Sequence, residues 1–147
     1  MPLLTSWWDG YVSLILDATN TNATKYFINE LENIRNTTGI DSFKFDAGEF
    51  EWLPKNGYLT NAKETPEQFC SDYARMAAKL GPMIEIRVGC RTQDLPVFVR
   101  MIDRDSKWGM DNGLKSVITA TLAFSVMGYR KLFNKLAFNS FEFKSLN

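Results

Sequence analysis

The stretch Ser42-Phe43-Lys44-Phe45-Asp46-Ala47-Gly48-Glu49 decides the fold of this chain. The run from Ile40 to Phe45 is short, aromatic and alternating, a pattern that predicts a buried strand. The strand ends on a carboxylate, Asp46, which small residues follow. In α/β barrels, an acid at the carboxyl end of a strand lies in the mouth where chemistry takes place. The same pattern is also typical of an acid that caps a turn or a following helix.

Composition narrows the classes of function. The 147-residue chain is long enough for one domain, and 17 basic residues balance 17 acidic ones, which indicates neither nucleic-acid binding nor an anionic membrane surface. It has no histidine, which excludes Ser-His-Asp and Cys-His catalysis, so any acid/base chemistry falls to carboxylates. Cys70 and Cys90 form no CxxC motif, so the alternatives are a single disulfide and free thiols, of which free thiols are favoured. The sequence contains no apolar run of the roughly 18 residues that a membrane span needs.

Capping and helix-terminating residues predict the remaining elements. Asn20 or Thr21 is a plausible N-cap for a helix that ends at Gly39, and Thr65-Pro66 starts a second helix that ends at Gly81-Pro82. The pattern also predicts an extended run over 11–16, a long loop over 50–64 and two strands over 83–88 and 96–102. A third helix is predicted over 114–127 and ends at Gly128.

Charged residues lie at or beside the ends of the later strands. Asp103 follows the strand 96–102, as Asp46 follows the earlier one. In strand 83–88, Ile84, Ile86 and Val88 face one way, whereas Glu85 and Arg87 face the other. Arg87 either binds a hydroxyl or carboxylate of a ligand or pairs with Glu85 or another neighbour. A pair of strand-end carboxylates is the smallest set of catalytic groups that a glycosidase requires, and it needs no histidine.

Three stretches resemble glycoside hydrolase family 31. They are Trp8-Asp9-Gly10, Leu16-Asp17-Ala18-Thr19-Asn20 and the strand from Ile40 to Glu49. The form Phe-Lys-Phe-Asp-Ala-Gly-Glu departs from the family's common nucleophile strand and is similar to the branch that contains myogenesis-regulating glycosidase. Glu85-Ile86-Arg87-Val88-Gly89 and Asp103-Arg104-Asp105-Ser106-Lys107-Trp108-Gly109 also resemble that branch.

The resemblance implies an α/β fold, a partial (β/α)8 TIM barrel running roughly from the end of strand 3 to helix 6. Residues 1–129 would form this partial catalytic barrel, and residues 130–147 would be a divergent C-terminal tail. A complete barrel of this type takes typically about 250 residues. An open barrel exposes sheet edges, so self-association through those edges is expected.

The resemblance also implies roles for individual residues. Asp46 would be the nucleophile and Asp103 the acid/base, and Arg87, sixteen residues before Asp103, would bind the sugar. Trp8 would line the sugar subsite, and Lys44 or Arg87 would supply the cation that keeps Asp46 ionised. Asp103 would need a drier or more negative setting to hold a proton. The implied mechanism needs no metal and no cofactor.

Asp111 competes for the acid/base role, because Met110-Asp111-Asn112 imitates the Gly-Asp-Asn of α-glucosidases. The arginine spacing favours Asp103, and Asp111 or Asn112 is explained as the N-cap of the third helix.

The expected function is therefore that of a fragment of a retaining α-glycosidase, an O-glycosyl hydrolase of α-galactosidase or α-glucosidase type acting on a carbohydrate substrate. The alternative is a truncated, catalytically inactive product that binds a glycan or another protein. Sequons at Asn22 and Asn36 indicate the secretory pathway or the extracellular space.

Overall fold

The computed structural model describes residues 3–7, 10–54, 59–61, 65–129, 132–133 and 136–137. This part of the chain contains eight short strands, three α-helices and one turn of 3-10 helix (Phe50–Trp52). In chain order, the strands and α-helices are β1 (Leu3–Trp7), β2 (Gly10–Ile15), α1 (Thr21–Thr38), β3 (Lys44–Phe45), α2 (Pro66–Ala78), β4 (Glu85–Ile86), β5 (Phe98–Arg100), β6 (Arg104–Asp105), α3 (Leu114–Val126), β7 (Leu132–Phe133) and β8 (Leu136–Ala137).

The centre of the fold is a four-stranded parallel sheet in the order β3-β4-β5-β7. Phe45, Ile86 and Val99 are aligned across the first three strands, and Leu132 follows in the fourth. β3, β4 and β5 are neighbours both in the chain and in the sheet, whereas β7 joins the sheet beside β5 and β6 does not belong to it. α2 connects β3 to β4 and α3 lies between β5 and β7, which is the βα rhythm that the sequence predicted.

The sheet is open, and the described strands do not close into a barrel. The predicted α/β class with parallel strands is confirmed, whereas the predicted partial barrel is not. Two further pairs flank the sheet: β1 and β2 form an antiparallel hairpin, and β6 pairs in parallel with β8. The segment 130–147, predicted as a divergent tail, contributes β7 to the central sheet.

The two faces of the central sheet differ sharply. Phe45, Ile86 and Val99 are buried and pack against apolar residues of α1 and α2. The rings of Phe27 and Phe45 meet edge to face with centroids 6.5 Å apart. Burial of side chains of this size contributes roughly 1.5–3 kcal/mol each to folding. The opposite face carries the charged residues of β3, β4 and β5.

Capping residues fix two of the three helices as predicted. The side chain of Asn20 accepts from the backbone N–H groups of Asn22 and Ala23, and Gly39 ends α1 in the left-handed conformation at φ 72°. Thr65 caps α2 through the N–H of Gln68. Within the described residues, no helix is long and apolar enough to cross a membrane.

The predicted N-cap of α3 is wrong. Gly113 occupies that position, and a Cβ there would lie 2.4 Å from the carbonyl oxygen of Lys107, so only glycine fits. The side chain of Asp111 instead pairs with Lys107, and that of Asn112 accepts from Arg104.

Candidate active site

The carboxyl ends of three neighbouring parallel strands bring the predicted residues together. Asp46 directly follows β3, Arg87 directly follows β4, and Arg100 is the last residue of β5. Asp103 lies three residues beyond Arg100. Ligands in α/β sheets bind outside this same edge, which makes the cluster the candidate active site.

Asp46 lies at the centre of the cluster. Its Oδ1 accepts from Nη1 of Arg87 at 3.0 Å and from Nη2 of Arg100 at 2.7 Å. Its Oδ2 lies 3.3 Å from Nζ of Lys44. Burial raises the pKa of Asp46, but the hydrogen bond from Arg87 and the charges of Arg100, Lys44 and Arg87 outweigh it and lower the pKa to about 2. Asp46 is therefore ionised at neutral pH.

The backbone after Asp46 adopts an unusual conformation. Ala47 and Gly48 both lie in the left-handed region, with φ values of 73° and 96°. The N–H of Ala47 turns back to Oδ1 of Asp46 at 3.2 Å. Tyr73 of α2 donates its hydroxyl to the carbonyl oxygen of Asp46 at 2.8 Å. Burial, together with the charges of Asp46 and Glu49, raises the pKa of Tyr73, so the hydroxyl keeps the proton that it donates. These contacts fix where the Asp46 carboxylate points.

Arg100 joins the two candidate acids. Its side chain is fully buried, with Nη2 on Asp46 and Nη1 on Asp103. Its Nε lies 3.2 Å from Oε1 of Glu85 on β4. The Asp103 side chain is 27% exposed. The sequence predicted a drier or more negative setting for Asp103, whereas the structure places a guanidinium against it.

Arg87 occupies the neighbouring strand end. Beyond its contact with Asp46, its Nε lies 2.6 Å from Oε1 of Glu49. Burial lowers the pKa of Arg87, but the hydrogen bond to Asp46 and the charges of Glu49, Asp46 and Asp103 outweigh it, so the pKa is raised above its ordinary value. The sequence predicted that Arg87 either binds a ligand or pairs with a neighbouring acid. The structure has it paired with Asp46 and Glu49, and ligand binding stays a prediction.

The other predicted residues lie apart from this cluster or outside the description. Trp8 is outside the described residues. Asp111 is largely exposed, and its Oδ2 pairs with Nζ of Lys107 at 3.0 Å. Hydrogen bonds from the backbone of Asn112 and, with a smaller effect, from the side chain of Lys107 lower the pKa of Asp111. In the parts of the chain given above, no three His, Cys, Asp or Glu side chains are grouped to hold a metal ion.

Sequence reasoning missed Arg100, Glu49 and Tyr73 as members of the site. A signal for Arg100 was present, because it is the one charged residue in the otherwise apolar run Pro96–Ile102. A charge within a buried strand is costly unless it has partners, so Arg100 had to be paired or used. Tyr73 had no such signal, since an aromatic residue within a predicted helix is also explained by packing in the core.

An apolar cavity of about 430 Å³ adjoins the loop that follows Asp46. The β1–β2 hairpin, the helices α1 and α2, the residues 47–49 and Trp52 line it. Trp7 and Trp52 meet edge to face in its wall, with ring centroids 4.7 Å apart. Glu49 lines the cavity and also holds Arg87, which links the cavity wall to the charged cluster.

Comparisons with known proteins give two curated relatives. The chain is 38% identical over 129 residues to myogenesis-regulating glycosidase of Mus musculus, which covers 88% of this chain and 18% of the relative. It is 31% identical over 133 residues to SITS-binding protein of Tetronarce californica, with 87% and 18% covered. The chain thus spans less than a fifth of the length of either relative. No family model matches it.

A solved structure supports the fold. The crystal structure of the uncharacterized protein lmo2446 from Listeria monocytogenes EGD-e matches 92% of this chain with a TM-score of 0.64. The match covers 13% of the bacterial chain at 23% sequence identity. At that identity the likeness shows the fold alone.

Proposed function

This chain belongs to the sequence branch that contains myogenesis-regulating glycosidase, as the sequence predicted, and from that premise we propose that it carries the catalytic acids of a retaining α-glycosidase of glycoside hydrolase family 31. Asp46 is the proposed nucleophile and Asp103 the proposed acid/base. The substrate is an α-glycoside of galactose or glucose, and the reaction consumes water without a metal or cofactor.

One observation carries the proposal: a single guanidinium, that of Arg100, contacts both carboxylates. A retaining mechanism requires two carboxyl groups about 5–5.5 Å apart, one to attack and one to exchange a proton. Asp46 and Asp103 come from different segments of the sheet edge and contact the same guanidinium, which supports the proposal that they act on one substrate.

The contacts of Asp46 indicate which oxygen attacks. Oδ1 is engaged by Arg87 and Arg100, whereas Oδ2 faces the ammonium group of Lys44, a side chain that is 40% exposed. Displacement of that flexible side chain opens Oδ2 to an anomeric carbon. The low pKa keeps Asp46 ionised and ready to attack, and the two arginines fix its orientation.

Two displacements then complete the reaction. In the first, Oδ2 of Asp46 bonds to the anomeric carbon while the glycosidic C–O bond breaks, and Asp103 gives its proton to the departing oxygen. In the second, Asp103 takes a proton from water, the water oxygen bonds to the anomeric carbon, and the Asp46 ester bond breaks. The configuration at the anomeric carbon is retained.

The test is hydrolysis of aryl α-galactosides and α-glucosides by the chain. Any turnover by the chain should be abolished in Asp46→Asn, because the amide is a poor nucleophile, and strongly reduced in Asp103→Asn. Asp94→Asn is the matched control, since Asp94 is an exposed carboxylate that pairs with Arg75 on the surface. Asp111→Asn separates the two acid/base candidates: full activity in that variant supports Asp103, and loss of activity supports Asp111. Turnover that survives Asp46→Asn refutes the assignment.

A second candidate function is binding of a glycan without turnover. It is favoured by the contact between Arg100 and Asp103, which engages the proposed acid/base in an ion pair. Saturable binding of an α-galactoside without release of product supports this candidate. Release of product that depends on Asp103 excludes it.

The expected self-association and secretory localisation also remain proposals. Within the described strands, β3 pairs with β4 alone, which leaves its other edge open to a second copy of the chain. Light scattering at increasing protein concentration tests this idea: a mass that stays at 16.8 kDa contradicts it.

A further inference from the structure

We infer that Arg100 is a positioning residue that sets the mutual placement of Asp46 and Asp103 by clamping one carboxylate with each end of its guanidinium. The inference rests on the proposed function for its catalytic meaning. The clamp itself is a physical claim about this chain and is testable without turnover.

Arg100 is buried in the cluster. Its side chain is 0% exposed, and it is the largest fully buried side chain among the described residues. A buried guanidinium that lacked partners would cost several kcal/mol, so the site must supply carboxylates to it. Three do so: Asp46, Glu85 and Asp103.

Each nitrogen of the Arg100 guanidinium faces a different carboxylate. Glu85 lies against Nε, which leaves Nη2 for Asp46 at 2.7 Å and Nη1 for Asp103. Glu85 is on the adjacent strand and is aligned with Phe98, two residues before Arg100. Its contact with Nε is an ion pair without a hydrogen bond, so the hydrogen bonds of Arg100 come from its Nη groups: Nη2 donates to Asp46, and Nη1 donates to Asp103 and to the carbonyl oxygen of Met101. Such a division needs a rigid fork with several donors, which an ammonium group does not provide.

The charge of the cluster explains why the clamp is needed. Three cations face four carboxylates on this edge of the sheet: Lys44, Arg87 and Arg100 against Asp46, Glu49, Glu85 and Asp103. Without Arg100, the acids would repel one another across the strand ends, and Asp46 would keep Lys44 and Arg87 as partners. Among the described residues, Asp103 forms its ion pair with Arg100, so its placement depends most on this residue.

Carboxyl-carbon NMR of the 147-residue chain tests the clamp. The pH titration of Asp46 is recorded in the unaltered chain, in Arg100→Gln and in Arg100→Lys. We expect the midpoint for Asp46 to rise by about one pH unit in Arg100→Gln, because one opposite charge in contact lowers a carboxyl pKa by about 1–3 units. Arg100→Lys keeps the charge without the fork, and its midpoint should lie between the other two.

Arg75→Gln is the matched control. Arg75 pairs with Asp94 at 2.8 Å on the exposed surface of α2, so its removal should leave the Asp46 midpoint unchanged. Circular dichroism verifies that each variant is folded. A folded Arg100→Gln variant whose Asp46 midpoint matches that of the unaltered chain overturns the inference.

A second measurement covers the case in which Arg100→Gln does not fold. In the unaltered chain, the side-chain ¹⁵N resonances of Arg100 should move with the midpoint of Asp46, and those of Arg75 with the midpoint of Asp94. An Arg100 signal that ignores the titration of Asp46 contradicts the clamp. Neither measurement uses a substrate, so a chain that hydrolyses no glycoside can still confirm the clamp, and an active chain can still fail this test.

Discussion

Gly48→Ala tests the local structure that presents Asp46. Gly48 has a φ of 96°, a left-handed conformation that costs an L-residue about 1–2 kcal/mol. A Cβ at this position would also lie 2.4 Å from Cδ1 of Tyr73 and 2.8 Å from Cγ2 of Val88. Overpacking of this kind costs typically about 1–3 kcal/mol. We therefore expect Gly48→Ala to lower the free energy of unfolding by about 3 kcal/mol.

Gly39→Ala separates the two contributions. Gly39 also has a positive φ, 72°, but nothing lies within 4 Å of an added Cβ. This variant should therefore lose only the conformational part, about 1 kcal/mol. Urea unfolding followed by circular dichroism gives both values. If Gly48→Ala loses no more stability than Gly39→Ala, then Tyr73 does not pack against the loop after Asp46, and the account of how that loop is held is refuted.

Three further predictions concern acid stability, a single hydrogen bond and glycosylation. Because the pKa of Asp46 is lowered to about 2 from 3.8, its contribution to stability is complete above about pH 4 and is lost as the pH falls through 2; urea unfolding at several pH values should show a shallower loss over this window in Asp46→Asn. Tyr73→Phe removes the hydroxyl that donates to the backbone of Asp46 and should cost about 1 kcal/mol, whereas Tyr26→Phe, at an exposed ring, should change stability little in the same assay. Asn22 and Asn36 lie exposed on α1, so expression through a secretory pathway should add glycan mass that an endoglycosidase removes; an unchanged mass contradicts the proposed localisation.

The sequence predicted best what depends on local chemistry. The caps of α1 and α2 were correct because Asn20, Gly39 and Thr65 act on backbone groups within a few residues of themselves. The buried alternation of Ile84 and Ile86 was also correct, since it follows from the period of a strand. These features need no knowledge of the distant chain.

Features that depend on distant contacts were missed. The N-cap of α3 is Gly113, where the backbone of Lys107 leaves no room for a Cβ, and the sequence pattern does not report that approach. β7 has two residues, too few for a period, and is a strand only because it pairs with β5. Arg100 could have been found, since a charge within an apolar strand requires partners. The division of its fork between two acids follows only from the assembled sheet edge.

The most direct test of the central claim is to trap the covalent intermediate on the chain. An activated fluoroglycoside of α-galactose or α-glucose should form an ester with the nucleophile and release it slowly, so that intact mass rises by one sugar residue. We predict that peptide mapping places this sugar on Asp46 and that Asp46→Asn shows no mass increase. A sugar attached to another residue, or no attachment in a chain that hydrolyses the matching aryl glycoside, would contradict the account.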